Sequence, residues 1–98
     1  MTRDSALEML GKLRASLEAR GIAHAALIGS VTRNEATVRS DIDVVVTPAH
    51  GARLDLIDLG GVQAVLDEAF GMDVDVVVQP VRKQELRRAI ERDRADAF

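Results

Sequence analysis

The sequence predicts an α/β fold, a small β-sheet flanked by helices. Three observations carry that reading. Short apolar runs rich in Val and Ile alternate along the chain with longer segments of helical periodicity. Two of those runs contain triple valines, Val44 to Val46 and Val76 to Val78, the composition of strands covered on both faces. No internal repeat, linker or low-complexity stretch interrupts the alternation, so the 98 residues are expected to form one domain spanning 1–98 with a modest core.

The elements follow in order. Ser5-Ala6-Leu7-Glu8 fits a capping box, Leu7, Leu10, Leu13 and Leu17 form a helical stripe, and Gly21 fits a C-cap. Together they predict one helix from about Ser5 to Arg20. Residues 23–28 (AHAALI) predict a strand that ends at Gly29-Ser30, and 31–38 a short helix or a turn. Ile42 to Val46 predicts a second strand, ended by Pro48. Residues 47–59 are expected to be mostly connection, with LDLIDL ambiguous between strand and helix. Val62, Val65, Leu66 and Ala69 give a helix face stopped by Gly71. MDVDVVV, from Met72, predicts a third strand. Pro80 suits the first turn of a last helix carrying Leu86, Ala89 and Ile90. Leu54, Leu56, Ile57 and Leu59 read as core or, as the alternative, as an apolar face left uncovered for a partner, with core favoured.

Composition removes whole classes of function. The chain is 47% hydrophobic and 30% charged, which suits a soluble globular protein, and its only aromatic residues are Phe70 and Phe98. Without Tyr or Trp there is no platform for stacking nucleobases, and a net charge of -3 does not suit a nucleic-acid coat, so no direct nucleic-acid binding is expected. The absence of cysteine excludes disulfides, thiolate catalysis and Cys-type zinc sites. No apolar run is long enough to span a bilayer and the start lacks a signal-peptide pattern, so a cytoplasmic location is expected. His24 and His50 have no partners at metal-ligand spacing. The charged residues of the last helix, Arg82 to Asp96, read as a solvated face.

The informative stretch is 27–46, LIGSVTRNEATVRSDIDVVV. Side chains alternate along a strand, so Asp41 and Asp43 share one face and Ile42 takes the other. Asp73 and Asp75 repeat the pattern on the third strand. If the two strands are neighbours, three or four carboxylates converge, an arrangement that a divalent cation such as Mg²⁺ or Mn²⁺ would neutralise. Upstream, Gly29-Ser30 closes a strand with backbone N–H groups and a hydroxyl at a turn, which can cradle phosphate. Taken singly, D-x-D is more often a solvated strand edge and Gly-Ser an ordinary turn. Together they supply the two parts that phosphoryl or nucleotidyl transfer needs.

Gly29-Ser30, ten residues, then Asp41-x-Asp43 resembles the signature of the DNA polymerase β-like nucleotidyltransferase superfamily. Gly29, Ser30, Arg33, Glu35, Ala36, Ser40, Asp41, Ile42 and Asp43 look like the pattern of its small prokaryotic branch, the minimal nucleotidyltransferases (MNT domains). Asn34 departs from it where many relatives carry glycine. Gly71 followed by Val74-Asp75-Val76-Val77 resembles the strand of the third carboxylate. The likeness covers roughly residues 5 to 90. It implies a polymerase β-like core with a small mixed sheet. It also implies two divalent ions, Mg²⁺ or Mn²⁺, held by Asp41, Asp43 and Asp75, with Asp75 helping to activate the acceptor hydroxyl. Gly29 and Ser30 would hold the phosphates of ATP. Arg33 would add charge there, or else pair with Glu35 or Asp41. Proteins of this kind and size are paired with a HEPN-domain protein as its antitoxin. The resemblance therefore implies AMP transfer from ATP to a tyrosine of that toxin within a hetero-oligomer. The alternatives are an antitoxin that acts by binding alone, and a catalytic subunit that modifies a small molecule beside a separate binding subunit.

Overall fold

The computed structural model describes residues 2–29, 32 and 42–98. The expected helix or turn over 31–38 lies outside them except for Thr32, which sits in a turn. The chain runs α1 (Arg3–Lys12), α2 (Arg14–Ala19), β1 (Ile22–Ile28), β2 (Ile42–Pro48), α3 (Leu56–Phe70), β3 (Val74–Val78), α4 (Gln84–Asp93) and β4 (Ala95–Asp96).

The first predicted helix is in fact two. Leu13 ends α1 and begins α2, and its N–H reaches back only three residues, to the Leu10 carbonyl at 3.1 Å. That tighter step falls just after Gly11, a weak helix former. The capping box also sits earlier than expected. The Thr2 hydroxyl accepts from the Ser5 N–H and the Ser5 hydroxyl accepts from the Thr2 N–H, both at 3.1 Å. Serine at the third helical position does the work expected of Glu8.

The ambiguous LDLIDL segment becomes the start of α3. Asp55 and Asp58 cap it reciprocally, at 2.8 and 3.1 Å, and Gly71 closes it in the left-handed region at φ 67. This start leaves Leu56 and Ile57 87% and 84% exposed, so the core assignment fails for both, while Leu54 packs against the core. Pro80 does not open the last helix. It follows a cis peptide bond in the connection, and Val81 packs inward before α4 starts at Gln84.

The strands form one mixed sheet in the order β3-β2-β1-β4. β2 runs antiparallel to β1 and parallel to β3. β4, too short to leave a periodic signal, pairs Ala95 and Asp96 with Leu27 and Ala26. One face packs on α1, α2 and α3 through Leu10, Leu17, Leu27, Val44, Val46 and Leu66, all fully buried. The other packs on α4 through Ala26, Ile28, Val45 and Ile90, joined by Val77, Val81 and Leu86. Val44, Val45 and Val46 are completely buried, as a doubly covered strand requires. Val76 to Val78 are only half-buried, because β3 lies at the sheet edge. Among the described residues, no helix is long and apolar enough to cross a membrane.

Candidate functional site

Alternation sorts the strand residues by face. Ile42, Val44 and Val46 lie with α1 to α3, so Asp43 shares the α4 face with Val45. On β3, Val74 and Val76 take the first face and Asp75 the second, beside Val77. The parallel pairing sets Asp43 opposite Asp75. Neighbouring strands lie about 4.8 Å apart, so the two carboxylates stand side by side on one face. Asp43 is half-buried and Asp75 exposed. Like charges at about 4 Å repel by about 1 kcal/mol in water, and more where water is scarce.

The end of β1 meets this pair. Ile28 is the partner of Asp43 across the antiparallel ladder, so Gly29 begins its turn next to that carboxylate. Gly29 has φ 80, and a Cβ built there would lie 2.6 Å from Asp43 Oδ2. The absence of a side chain at Gly29 is therefore what lets the turn lie against the carboxylate. Thr32 fixes the turn from the other side. Its hydroxyl donates to the Gly29 carbonyl at 2.5 Å, its N–H donates to the same oxygen at 3.1 Å, and the residue is 7% exposed.

The structure thus brings Gly29, Asp43 and Asp75 together. Ser30, Arg33 and Asp41, the other expected site residues, lie outside the described residues. Among the described residues no three potential metal ligands gather. Asp43 and Asp75 are nonetheless a matched pair of hard oxygen donors on one face, which suits Mg²⁺ or Mn²⁺. Asp73 precedes β3 and is exposed.

A cavity of ≈ 700 Å³ lies at the opposite end of the strands, between Thr47, Pro48, Gln79, Ile90 and Arg94. Its lining includes none of the site residues expected from the sequence. Thr32, Gln63 and Asp67 are the polar residues that the sequence reading passes over. Gln63 and Asp67 bond to one another, and both reach Val74. Their spacing of four on a helix is the one available signal, and it is too common to be specific.

A family profile described as the nucleotidyltransferase domain matches residues 10–97. The chain belongs to the nucleotidyltransferase domain family. Gly29, Asp43 and Asp75 all fall within the matched span, and the nucleotidyltransferase assignment makes this an enzyme fold. A curated relative from Methanocaldococcus jannaschii, provisionally named a protein adenylyltransferase, is 36% identical over 70 residues, 71% of this chain and 73% of that protein. A solved structure of a provisionally assigned minimal nucleotidyltransferase superposes with a TM-score of 0.78 at 24% identity, over 97% of this chain and 95% of that one. A chain from the complex of tri-AMPylated Shewanella oneidensis HEPN toxin with MNT antitoxin gives a TM-score of 0.65 at 19% identity, over 94% of this chain and 71% of that one. At these identities the two structures speak for the fold, the small mixed sheet expected of the minimal nucleotidyltransferase core.

Proposed function

We propose that this nucleotidyltransferase domain is a metal-dependent adenylyltransferase, moving AMP from ATP to a tyrosine hydroxyl of a HEPN-type partner and acting as its antitoxin in the cytoplasm. The observation that carries the proposal is the pairing of Asp43 with Asp75 across parallel strands, with the Gly29 turn against Asp43. The name of the M. jannaschii relative supports adenylyl transfer, and the Shewanella complex supports a HEPN partner. Gly29 and Ser30 would hold the terminal phosphates through backbone N–H groups and the Ser30 hydroxyl, with Arg33 adding positive charge. Asp41, Asp43 and Asp75 would hold two divalent ions, which when bound supply neutralisation of the triphosphate and of the departing pyrophosphate. Asp75, on the edge strand and more exposed than Asp43, would meet an acceptor from outside and help take its proton. All of these roles fit within the single catalytic unit 1–98.

The test is incubation with labelled ATP, Mg²⁺ and a HEPN-type product of the adjacent gene. AMP on a partner tyrosine, located by mass spectrometry and lost without Mg²⁺, is the expected result. Neutralisation of the partner with no transferred label would instead mean an antitoxin that acts by binding.

A further inference from the structure

Val74 is the residue that sets where β3 begins. Its two backbone groups are both held by side chains of α3. Asp67 Oδ1 accepts from the Val74 N–H at 2.8 Å, and Gln63 Nε2 donates to the Val74 carbonyl at 2.6 Å. Gln63 Nε2 also donates to Asp67 Oδ1 at 2.9 Å, so the two side chains brace one another. The backbone of Asp67 closes the same connection, its carbonyl accepting from the Gly71 N–H at 2.9 Å and the Met72 N–H at 3.3 Å. The end of α3, the link and the first residue of β3 are therefore tied together by one pair of residues.

We infer that Gln63 and Asp67 are positioning residues, whose clamp on Val74 fixes the register that sets Asp75 opposite Asp43. The inference rests on the proposed reading of those two aspartates as site carboxylates. Its physical basis is strand alternation. A slip of β3 by one residue would turn Asp75 toward Val44, Val46 and Leu66 and carry a valine to the site. Among the described residues β3 has a ladder partner on one side only, since it ends the sheet. In a parallel strand successive residues address opposite edges, and the bond from the Gln79 N–H to the Val46 carbonyl fixes which residues face β2. Val74, five residues earlier, addresses the free edge, where a ladder would otherwise be lacking. The clamp supplies both of its bonds from α3. Both side chains are half-buried, which limits competition from water.

The experiment compares Gln63→Leu, Gln63→Met, Asp67→Leu and Asp67→Asn with Asp75→Asn and with the surface control Glu68→Gln. It reads Mn²⁺ binding by water-proton relaxation in the presence of a non-hydrolysable ATP analogue, amide exchange at Val74, and kcat and KM. Gln63→Leu and Gln63→Met are expected to stay folded and weaken Mn²⁺ binding by about tenfold or more, the usual effect of losing an outer support of a metal site. They are expected to lower kcat more than they raise KM, and to speed exchange at Val74. Asp67→Asn, which keeps an oxygen to accept from Val74, should stay within about threefold of the unmodified protein, whereas Asp67→Leu should not. If Asp67→Leu fails to fold, the two Gln63 variants decide, because they leave the Asp67 bond to Val74 in place. Unchanged Mn²⁺ binding in Gln63→Leu, with binding lost in Asp75→Asn, overturns the clamp and leaves the site reading standing. Unchanged binding in Asp75→Asn overturns the site reading, and the clamp's role falls with it.

Discussion

Gly29 stands where no side chain fits. Its φ of 80 disfavours any residue with a Cβ, and the contact that a Cβ would make is with a carboxylate oxygen of Asp43. Gly29→Val therefore must displace either the turn or Asp43. It is expected to cut AMP transfer by at least about a hundredfold, in keeping with the loss of a preorganised catalytic group, and to weaken ATP binding in calorimetry. Circular dichroism should still show a folded protein. Normal transfer by this variant would remove the phosphate-cradle assignment. A second contrast separates Asp75 from Asp73. Asp75 pairs with Asp43 inside the sheet, and Asp73 lies before the strand. Asp75→Asn should abolish transfer, whereas Asp73→Asn should retain most of it. Loss in the second and not the first would mean that the acceptor chemistry uses the strand's approach rather than the strand. Alternation in the sequence already placed Asp75 and Asp43 each on a definite face of its strand. That β2 and β3 are neighbours came only from the family resemblance, because strand pairing is a long-range property that spacing along the chain does not encode. Thr32 escaped notice for a related reason, since only the folded turn brings its hydroxyl to the Gly29 carbonyl.

Helix starts are set by small local bonds, and here the sequence and the structure part most. Ser5 and Glu8 fit a capping box in the sequence, but the structure forms it one turn earlier, between Thr2 and Ser5. At α3 the reciprocal Asp55–Asp58 cap outweighs the apolar character of LDLIDL. It fixes a helix whose buried positions begin at Val62, and its first turn points Leu56 and Ile57 at solvent. Leu56→Asp should therefore shift the melting temperature by no more than about 8 °C. It removes no packing, and a carboxylate near a helix N-terminus is worth about 0.3–1 kcal/mol. Leu66→Ala, which empties a fully buried position on the same helix, should cost about 2–5 kcal/mol. Thermal unfolding of the two variants checks both. A large fall in Leu56→Asp would mean that the first turn of α3 is packed after all.

Across the whole molecule the sheet divides two unequal layers. The order of helices and strands, and the burial of Val44 to Val46, followed from periodicity and composition. β4 did not, because two residues carry no period, and neither did the split between the layers. α1, α2 and α3 share a broad apolar contact with one face. α4 holds the other face through Ile90 and Leu86, and its N-cap residue Lys83 makes no side-chain cap bond. Elements with few apolar anchors open at lower free energy than the core they rest on. In native-state hydrogen exchange, the amides of α4 should open at free energies at least about 2 kcal/mol below those of β1 and β2. Equal protection throughout would show the two layers to be one cooperative unit. The face that α4 covers is the face that carries Asp43 and Asp75. Warming should therefore disable this enzyme in two stages, with catalysis fading reversibly as α4 lifts and the far-UV signal collapsing only at a higher temperature.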